Sequence, residues 1–220
     1  MSPQTAKYLK DHYLNYYRKL DHCRLEEMDI KKYNCDAYQH IHFSFDRSTS
    51  NLIITGDFGN AIFSWYTNGN SLSMINDYIK DDPDYFASKC LTSDRPCYIY
   101  DQDLAYKEII DWLYEYNAQN LNWDNDELYL YGDPKYFAKQ LVKRIDIEKG
   151  FVLHDPTRFS YSYEDDDDLK TALEYIDPDW WESSYDWGRI INPIVEVWSH
   201  ALNLGFRWHK QQLAKQKSNN

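Results

Sequence analysis

The sequence predicts an α+β fold, in which a small antiparallel β-meander packs against several α-helices and helix predominates. Apolar Ile41, Phe43 and Phe45 alternate with polar residues, which is the two-residue period of a strand with one buried face. Two glycines within residues 56–60 suit a tight turn with positive φ between two further strands. Only 7 glycines occur in 220 residues, which indicates a helix-rich chain with few glycine-dependent turns.

The N-terminal part of the chain is predicted to hold one helix and the meander. Ser2 and Pro3 suit an N-cap and a first helical residue, and large apolar side chains continue at roughly helical spacing to residue 20. The charged segment 24–36 shows no clear period. The meander spans about 38–66, and a polar gap at 46–51 separates its first two strands.

The rest of the chain is predicted to be mainly helical, with recognisable helix starts. Ser71 can cap a short helix, and Asp82-Pro83 and Asp133-Pro134 each place a capping carboxylate before a proline at the first helical position. The helical C-terminal part covers about 101–216 and ends with a helix that begins at Pro193. Because no repeat and no Gly/Ser-rich or Pro-rich linker divides the chain, residues 1–220 are expected to form a single compact domain.

Composition limits the classes of partner. Acidic residues outnumber basic ones by 36 to 24, which gives a net charge of −12 and a surface that repels nucleic acid phosphates and anionic membranes. The 21 tyrosines exceed what a core needs and favour a protein-binding surface. The N-terminus lacks the apolar core of a signal peptide, and no long apolar run occurs, so we expect a soluble cytoplasmic protein with reduced thiols.

The candidate functional region is an acidic, tryptophan-rich stretch in the C-terminal half. A run of carboxylates at a helix start interacts favourably with the helix dipole, so a solvated helix start is the structural interpretation. Carboxylates beside large aromatic side chains also match what a lysine- and arginine-rich groove would bind. The candidate partner-binding residues are Glu164, Asp165, Asp166, Asp167, Asp168, Asp179, Trp180, Trp181, Glu182, Tyr185, Asp186 and Trp187.

Other residues could carry chemistry, and each has a simpler interpretation. His40 and His42 lie two apart on one predicted strand, so both imidazoles leave the same face and could bind a metal together with a third ligand. The sequence identifies no such ligand. Asp57 in Gly-Asp-Phe-Gly is expected to hydrogen-bond its own turn, since the other kinase motifs are missing. We therefore predict no catalytic residue, no metal site and no cofactor.

Three segments resemble a family of small phage and prophage proteins of uncharacterised function. They are LIITGDFGNAIFSW, which matches at Leu52–Trp65, DPDYFASKC, which matches at Asp84–Lys89, and INPIVEVWSHAL, which matches at Asn192–Leu202. The resemblance rests on a hairpin with a Gly-Asp-x-Gly turn, an aromatic-plus-lysine helix and a C-terminal helix that ends in Ala-Leu. It covers about a fifth of the chain and carries no catalytic residue across.

The resemblance implies a phage protein, and small acidic phage proteins without enzyme motifs are similar to inhibitors of host defence, anti-CRISPR proteins among them. The expected function is a non-enzymatic inhibitor in the host cytoplasm. It would bind a basic, nucleic-acid-binding nuclease or effector complex and either compete with nucleic acid or lock the effector in an inactive shape. The alternatives are a metal-dependent hydrolase that uses His40 and His42, and a self-associating phage accessory protein.

Overall fold

A computed structural model describes residues 9, 11–20, 24–32, 39–66, 70–144, 167–180, 182 and 187–218. It confirms the α+β class. The chain divides into two compact units, the first made of Met1–Cys97 with Ile191–Asn220 and the second of Tyr98–Ile190. The sequence alone predicts one domain, because neither boundary carries the glycine, serine or proline composition of a linker.

Unit 1 contains a six-stranded antiparallel sheet in which every strand pairs with its neighbour in sequence. The predicted three-strand meander is its centre, and strands that the sequence did not reveal extend it on both sides. The strands are β1 (His12–Leu20), β2 (Leu25–Lys32), β3 (His40–Asp46), β4 (Asn51–Gly56), β5 (Ala61–Ser64) and β6 (Cys90–Ser93).

The predicted glycine turn joins β4 to β5. Gly56 has φ of 135° and Gly59 has φ of 98°, as expected for positions that disfavour a Cβ atom. Asp57 is a turn residue, and its carboxylate accepts a 2.7 Å hydrogen bond from the backbone N–H of His40. The alternation predicted for β3 is also confirmed, since Ile41, Phe43 and Phe45 are fully buried.

The predicted N-terminal helix is wrong where the structure describes it, because His12–Leu20 is a strand. A bulge between Leu14 and Tyr16 shifts the register of β1 against β2. Leu14 pairs with Ile30 and Tyr17 pairs with Met28, so the side chains on the core face are three residues apart there. A strand with such a step imitates helical spacing in the sequence.

Three helices of unit 1 cover one face of the sheet. They are α1 (Leu72–Ile79), α2 (Pro83–Ser88) and the long α6 (Pro193–Ser218), which contacts β1, β2 and β3 as well as α1 and α2. Phe63 of β5 stacks on Phe86 with ring centroids 4.1 Å apart and meets Trp198 edge-on at 5.9 Å. These fully buried rings fix α2 and α6 on the sheet.

The predicted helix starts at Ser71 and Asp82 are confirmed, whereas the predicted start at Ser2 and Pro3 lies outside the described residues. The Ser71 side chain accepts a hydrogen bond from the N–H of Met74, and the Asp82 side chain accepts one from Tyr85 before Pro83 opens α2. These bonds satisfy N–H groups that a helix leaves without an internal partner. Of the described helices, none is long and apolar enough to cross a membrane.

Unit 2 is mainly helical and has its own core. Its elements are β7 (Tyr98–Tyr100), α3 (Gln102–Glu115), a 3₁₀ turn at Ala118–Asn120, α4 (Pro134–Arg144), α5 (Asp167–Ile176) and β8 (Arg189–Ile191), with β7 and β8 paired. Ile109, Leu113, Phe137, Leu141 and Leu173 are among the buried side chains where α3, α4 and α5 pack together. These side chains belong to the hydrophobic core of unit 2.

Candidate functional site

The structure separates the predicted partner-binding residues into three groups. Asp168, Asp179 and Glu182 are exposed, and Asp167 begins α5. Trp180 and Trp187 are only 4% and 3% exposed. The remaining candidates, namely Glu164, Asp165, Asp166, Trp181, Tyr185 and Asp186, lie outside the described residues.

The prediction that Trp180 and Trp187 act as surface anchors is corrected. Both belong to the hydrophobic core of unit 2, where the Trp187 ring meets that of Trp112 edge-on at a centroid distance of 5.1 Å. Burial of a tryptophan contributes a large hydrophobic stabilisation, which accounts for these residues without a partner. They hold unit 2 together and do not offer contact area.

The negative charge of the protein belongs to unit 2. Residues 98–190 contain 22 acidic and 9 basic side chains, a net charge of −13. The remaining residues contain 14 acidic and 15 basic side chains, a net charge of +1. One compact unit is thus strongly anionic while the other is nearly neutral, and a charge of this size on about ninety residues produces a strong local field.

Exposed carboxylates cover several elements of the described part of unit 2. Lysines partly offset them on α4, where Lys135, Lys139 and Lys143 are exposed. We call the exposed acids and the exposed tyrosines of unit 2 the acidic–tyrosine surface. Its described acids are Asp103, Asp111, Glu115, Asp124, Asp126, Asp133, Asp168, Glu174, Asp179 and Glu182, and its described tyrosines are Tyr114, Tyr116, Tyr129, Tyr136 and Tyr175.

Sequence reasoning missed these tyrosines as surface residues. Tyr114, Tyr136 and Tyr175 each follow or precede a core residue, so they extend the apolar stripes of α3, α4 and α5. In the folded unit, each of these tyrosine side chains lies outside the buried part of its helix face and is exposed to solvent. Tyr114, for example, is 56% exposed. The signal in the sequence was only the total of 21 tyrosines.

An apolar cavity opens beside Tyr114. Its volume is about 270 Å³, and its walls are Ile110, Leu113, Tyr114, Gln119, Asp133, Pro134 and Lys135. Ligand pockets for whole small molecules hold about 300–1,000 Å³, so this cavity suits one large side chain better than a cofactor. It lies between the end of α3 and the start of α4, within the acidic–tyrosine surface.

A buried carboxylate connects α5 to α3. Asp177 follows α5, is 3% exposed, and accepts hydrogen bonds from the indole N–H of Trp112 at 3.3 Å and from the backbone N–H of Asp179 at 2.9 Å. The charge of Asp177 is the main cause that raises the pKa of the Tyr116 hydroxyl. Asp177 therefore belongs to the framework that positions the acidic–tyrosine surface.

His40 and His42 lie, as predicted, on one face of β3, which is the polar face of the sheet. They line a groove of about 470 Å³ together with Tyr16, Asp29, Lys31 and Thr55. Each imidazole pairs with a different carboxylate: His40 Nδ1 is 3.3 Å from Asp57 Oδ2, and His42 Nδ1 is 3.9 Å from Asp29 Oδ1. Asp29 is also held by the Asn15 amide at 2.8 Å.

The groove does not assemble a metal site from the residues described. Within residues 9–218, apart from the gaps stated above, no three histidine, cysteine, aspartate or glutamate side chains are grouped to hold a metal ion. The two imidazoles diverge toward separate acids instead of converging on one point. The alternative of a metal-dependent hydrolase based on His40 and His42 thus gains no support from the geometry.

The chain matches no known protein family, and neither a curated protein nor a solved structure is significantly similar to it.

Proposed function

We propose that this protein is a non-enzymatic binding protein that attaches to a basic protein partner through the acidic–tyrosine surface of unit 2. The observation that carries the proposal is the segregation of charge, −13 in unit 2 against +1 in the rest of the chain. A globular domain gains no folding stability from such an excess, because like charges repel one another in the compact state. An oppositely charged partner provides a reason for it.

The surface has the chemical composition that protein recognition uses. Exposed carboxylates guide a basic partner and set its orientation, while tyrosines supply apolar area together with a hydroxyl group. The cavity beside Tyr114 can receive one side chain of the partner, and its mainly apolar wall carries one charge of each sign, Asp133 and Lys135, which suits an apolar or amphipathic side chain. Steering, contact area and an anchor site therefore occur in the same unit.

The class of partner follows from the charge and from the resemblance to phage proteins. Carboxylates at this density can replace phosphates in a groove lined with lysine and arginine, so a nucleic-acid-binding nuclease or effector complex of host defence is the partner that we propose. Binding would then exclude the nucleic acid. The protein acts, on this proposal, as an anti-CRISPR-like inhibitor in the host cytoplasm.

Self-association through the same tyrosines is the weaker alternative. Two copies of unit 2 that meet face to face would bring two charges of −13 together, which costs free energy that buried tyrosine rings must offset. A monomer in sedimentation or light scattering at low salt agrees with the proposed function. A concentration-independent dimer that persists at low salt would favour the alternative.

The direct test compares charge reversal on the two units. Purified host nucleases are titrated with the protein, with the triple variant Asp168→Lys/Asp179→Lys/Glu182→Lys in unit 2, and with Asp77→Lys/Asp81→Lys/Asp84→Lys in unit 1. All six side chains are exposed, so both variants are expected to fold. We expect the unit 2 variant to lose about tenfold or more in association rate and the unit 1 variant to lose little.

Salt provides an independent check of the same proposal. The association rate of the natural protein should fall as salt rises from low to physiological concentration, because counterions screen exposed charges over about 10 Å at 0.1 M. Equal losses for the two triple variants, or an association rate that does not respond to salt, would refute electrostatic binding through unit 2.

A further inference from the structure

Two thiols of unit 1 meet at the edge of the sheet. Cys90 begins β6, and Cys97 directly precedes β7. The chain turns between them so that their side chains hydrogen-bond to each other. Both are free thiols, with Cys97 buried and Cys90 partly exposed. The partner of each sulfur is therefore another sulfur, and one of the two is open to a reagent.

Backbone and side-chain hydrogen bonds hold the segment that joins the two cysteines. Asp94 N–H donates to the carbonyl of Asn60 at 3.0 Å, and the Asn60 amide donates to the Asp94 carboxylate at 2.9 Å. At the other end, Asn192 donates from its backbone to the Cys97 carbonyl at 2.9 Å and from its side chain to the Pro96 carbonyl at 2.8 Å. The two sulfurs are thus preorganised as neighbours.

Donors surround the sulfur of Cys90. The Cys97 S–H and the Thr92 N–H can donate to it, and the Ser93 hydroxyl, which donates to the Arg95 carbonyl, lies beside it. These neighbours, Cys97 first, lower the pKa of Cys90 to about 7 in spite of partial burial. The pKa of Cys97 is raised, first because its S–H donates to Cys90 and then because it is buried. Since only a thiolate attacks a disulfide, the two sulfurs differ in readiness to react.

We propose that Cys90 and Cys97 form a thiol–disulfide exchange site, in which Cys90 attacks a small organic disulfide and Cys97 resolves the product. In the first step the Cys90 thiolate forms a bond to one sulfur of the disulfide, whose S–S bond breaks and releases one thiolate. The released thiolate takes up a proton from water. Cys90 now carries a mixed disulfide.

In the second step Cys97 loses its proton to solvent, and its thiolate attacks the Cys90 sulfur. The mixed disulfide breaks and the second thiol leaves. The charge on Cys90, one of the causes that raises the pKa of Cys97, disappears when Cys90 enters the mixed disulfide, so the first step prepares the second. In sum, two protein thiols are oxidised to one disulfide and one small disulfide is reduced to two thiols.

The test uses oxidised glutathione as the probe and intact-mass spectrometry as the readout. Cys23 and Cys35 are replaced by serine in every sample, so that only the proposed pair reacts. We expect the parent protein to lose the mass of two hydrogens without accumulating an adduct. Cys97→Ser should keep a glutathione adduct on Cys90, and Cys90→Ser should stay unmodified over the same time.

A pH profile separates a reactive thiolate from a merely exposed thiol. The rate of alkylation at Cys90 should rise with a midpoint near pH 7. Cys97→Ala should move that midpoint upward because it removes the main donor to the Cys90 thiolate. Circular dichroism confirms that each variant is folded. A stable adduct on the parent with no internal disulfide, or equal reactivity of Cys90 and Cys97, would overturn the proposal.

Discussion

The Tyr17 hydroxyl donates a 2.6 Å hydrogen bond to Oε2 of Glu26, a carboxylate that is 0% exposed on the core face of the sheet. The other oxygen of Glu26 faces Lys19 Nζ at 3.6 Å and Arg47 Nε at 3.8 Å. The ring of Tyr17 meets those of Phe206 and His209 of α6 edge-on. A buried carboxylate needs hydrogen-bond partners. Tyr17 donates one hydrogen bond to Glu26, and its ring packs against α6 beside the carboxylate.

This relationship predicts a pH-dependent contribution to stability. Burial raises the pKa of Tyr17 above its usual 10.0, and the hydrogen bond to Glu26 adds to the effect. The folded state thus holds the hydroxyl proton more tightly than the unfolded chain does, so the stabilisation is complete below about pH 10 and is lost as the pH rises above it. Tyr17→Phe should cost about 1–3 kcal/mol near neutral pH, since it leaves a buried acceptor without its donor.

Urea unfolding of the natural protein and of Tyr17→Phe as a function of pH measures this contribution. The difference in unfolding free energy should be constant below about pH 9 and should shrink above about pH 10. The other tyrosines titrate in both proteins, so their effect cancels in the difference. A difference that stays constant to high pH would show that folding does not raise the pKa of Tyr17.

Removing the Asp177 carboxylate is expected to cost unit 2 more stability than Tyr17→Phe costs unit 1. Asp177→Ala leaves the indole N–H of Trp112 without its acceptor in the core and should cost about 2–4 kcal/mol in urea unfolding. The neighbouring Asp179→Ala is the matched control, because that side chain is exposed and should change stability by less than about 0.5 kcal/mol.

Asp177→Asn gives a second readout for the same residue. It removes the charge that raises the pKa of Tyr116, so this pKa should fall toward its ordinary value in a spectroscopic titration. An unchanged Tyr116 pKa in a folded Asp177→Asn protein would contradict the assigned role of the Asp177 charge.

The sequence revealed elements whose signals are local and failed where the signal depends on a partner strand. The β3 alternation, the Gly56 turn and the Ser71 cap depend on nearest neighbours, and all three are present in the structure. The bulge in β1 is a property of its pairing with β2, so spacing along β1 alone indicated a helix. Glu26 and Asp29 are buried in β2, where charged residues hid the strand pattern.

The candidate site was predictable in charge but not in its contact residues. The acids of α5 stand out in the sequence, whereas burial of Trp180 and Trp187 depends on how α3, α4 and α5 pack around them. The same packing decides that Tyr114 faces solvent while Leu113, its neighbour, does not. Helical periodicity locates the edge of an apolar stripe only to within one residue. Tertiary packing then decides which of the aromatic side chains at that edge face solvent.

Two glycines in left-handed backbone allow a matched test of the hairpin. Gly56→Ala would place a Cβ atom 2.2 Å from the backbone carbonyl oxygen of His40 at a φ of 135°. Because that oxygen belongs to β3, the hairpin must shift, and we expect a loss of at least about 2 kcal/mol. Gly132 has φ of 66°, and a Cβ atom added there would meet nothing within 4 Å. Gly132→Ala should therefore lower the unfolding free energy only by its backbone strain, about 1 kcal/mol.

Thermal unfolding of the two alanine variants compares these costs directly. The Gly56 variant should melt clearly below the Gly132 variant. Equal melting temperatures would mean that the β3–β4 register adjusts without cost, contrary to the close approach at His40.

The cavity beside Tyr114 predicts a binding hot spot on unit 2. Tyr114 is 56% exposed, lines the cavity, and stands among the carboxylates of α3, so a partner that inserts a side chain would bury its ring. Tyr114→Ala should weaken binding about tenfold or more, mainly through faster dissociation, as expected for a central aromatic anchor.

Tyr78 on α1 is 46% exposed in unit 1, so Tyr78→Ala provides a control of the same chemistry. Surface plasmon resonance with the nuclease that responds to charge reversal separates the two rates. A stronger effect of Tyr78→Ala than of Tyr114→Ala would move the interface to unit 1, since neither exposed ring is needed for the core of its own unit.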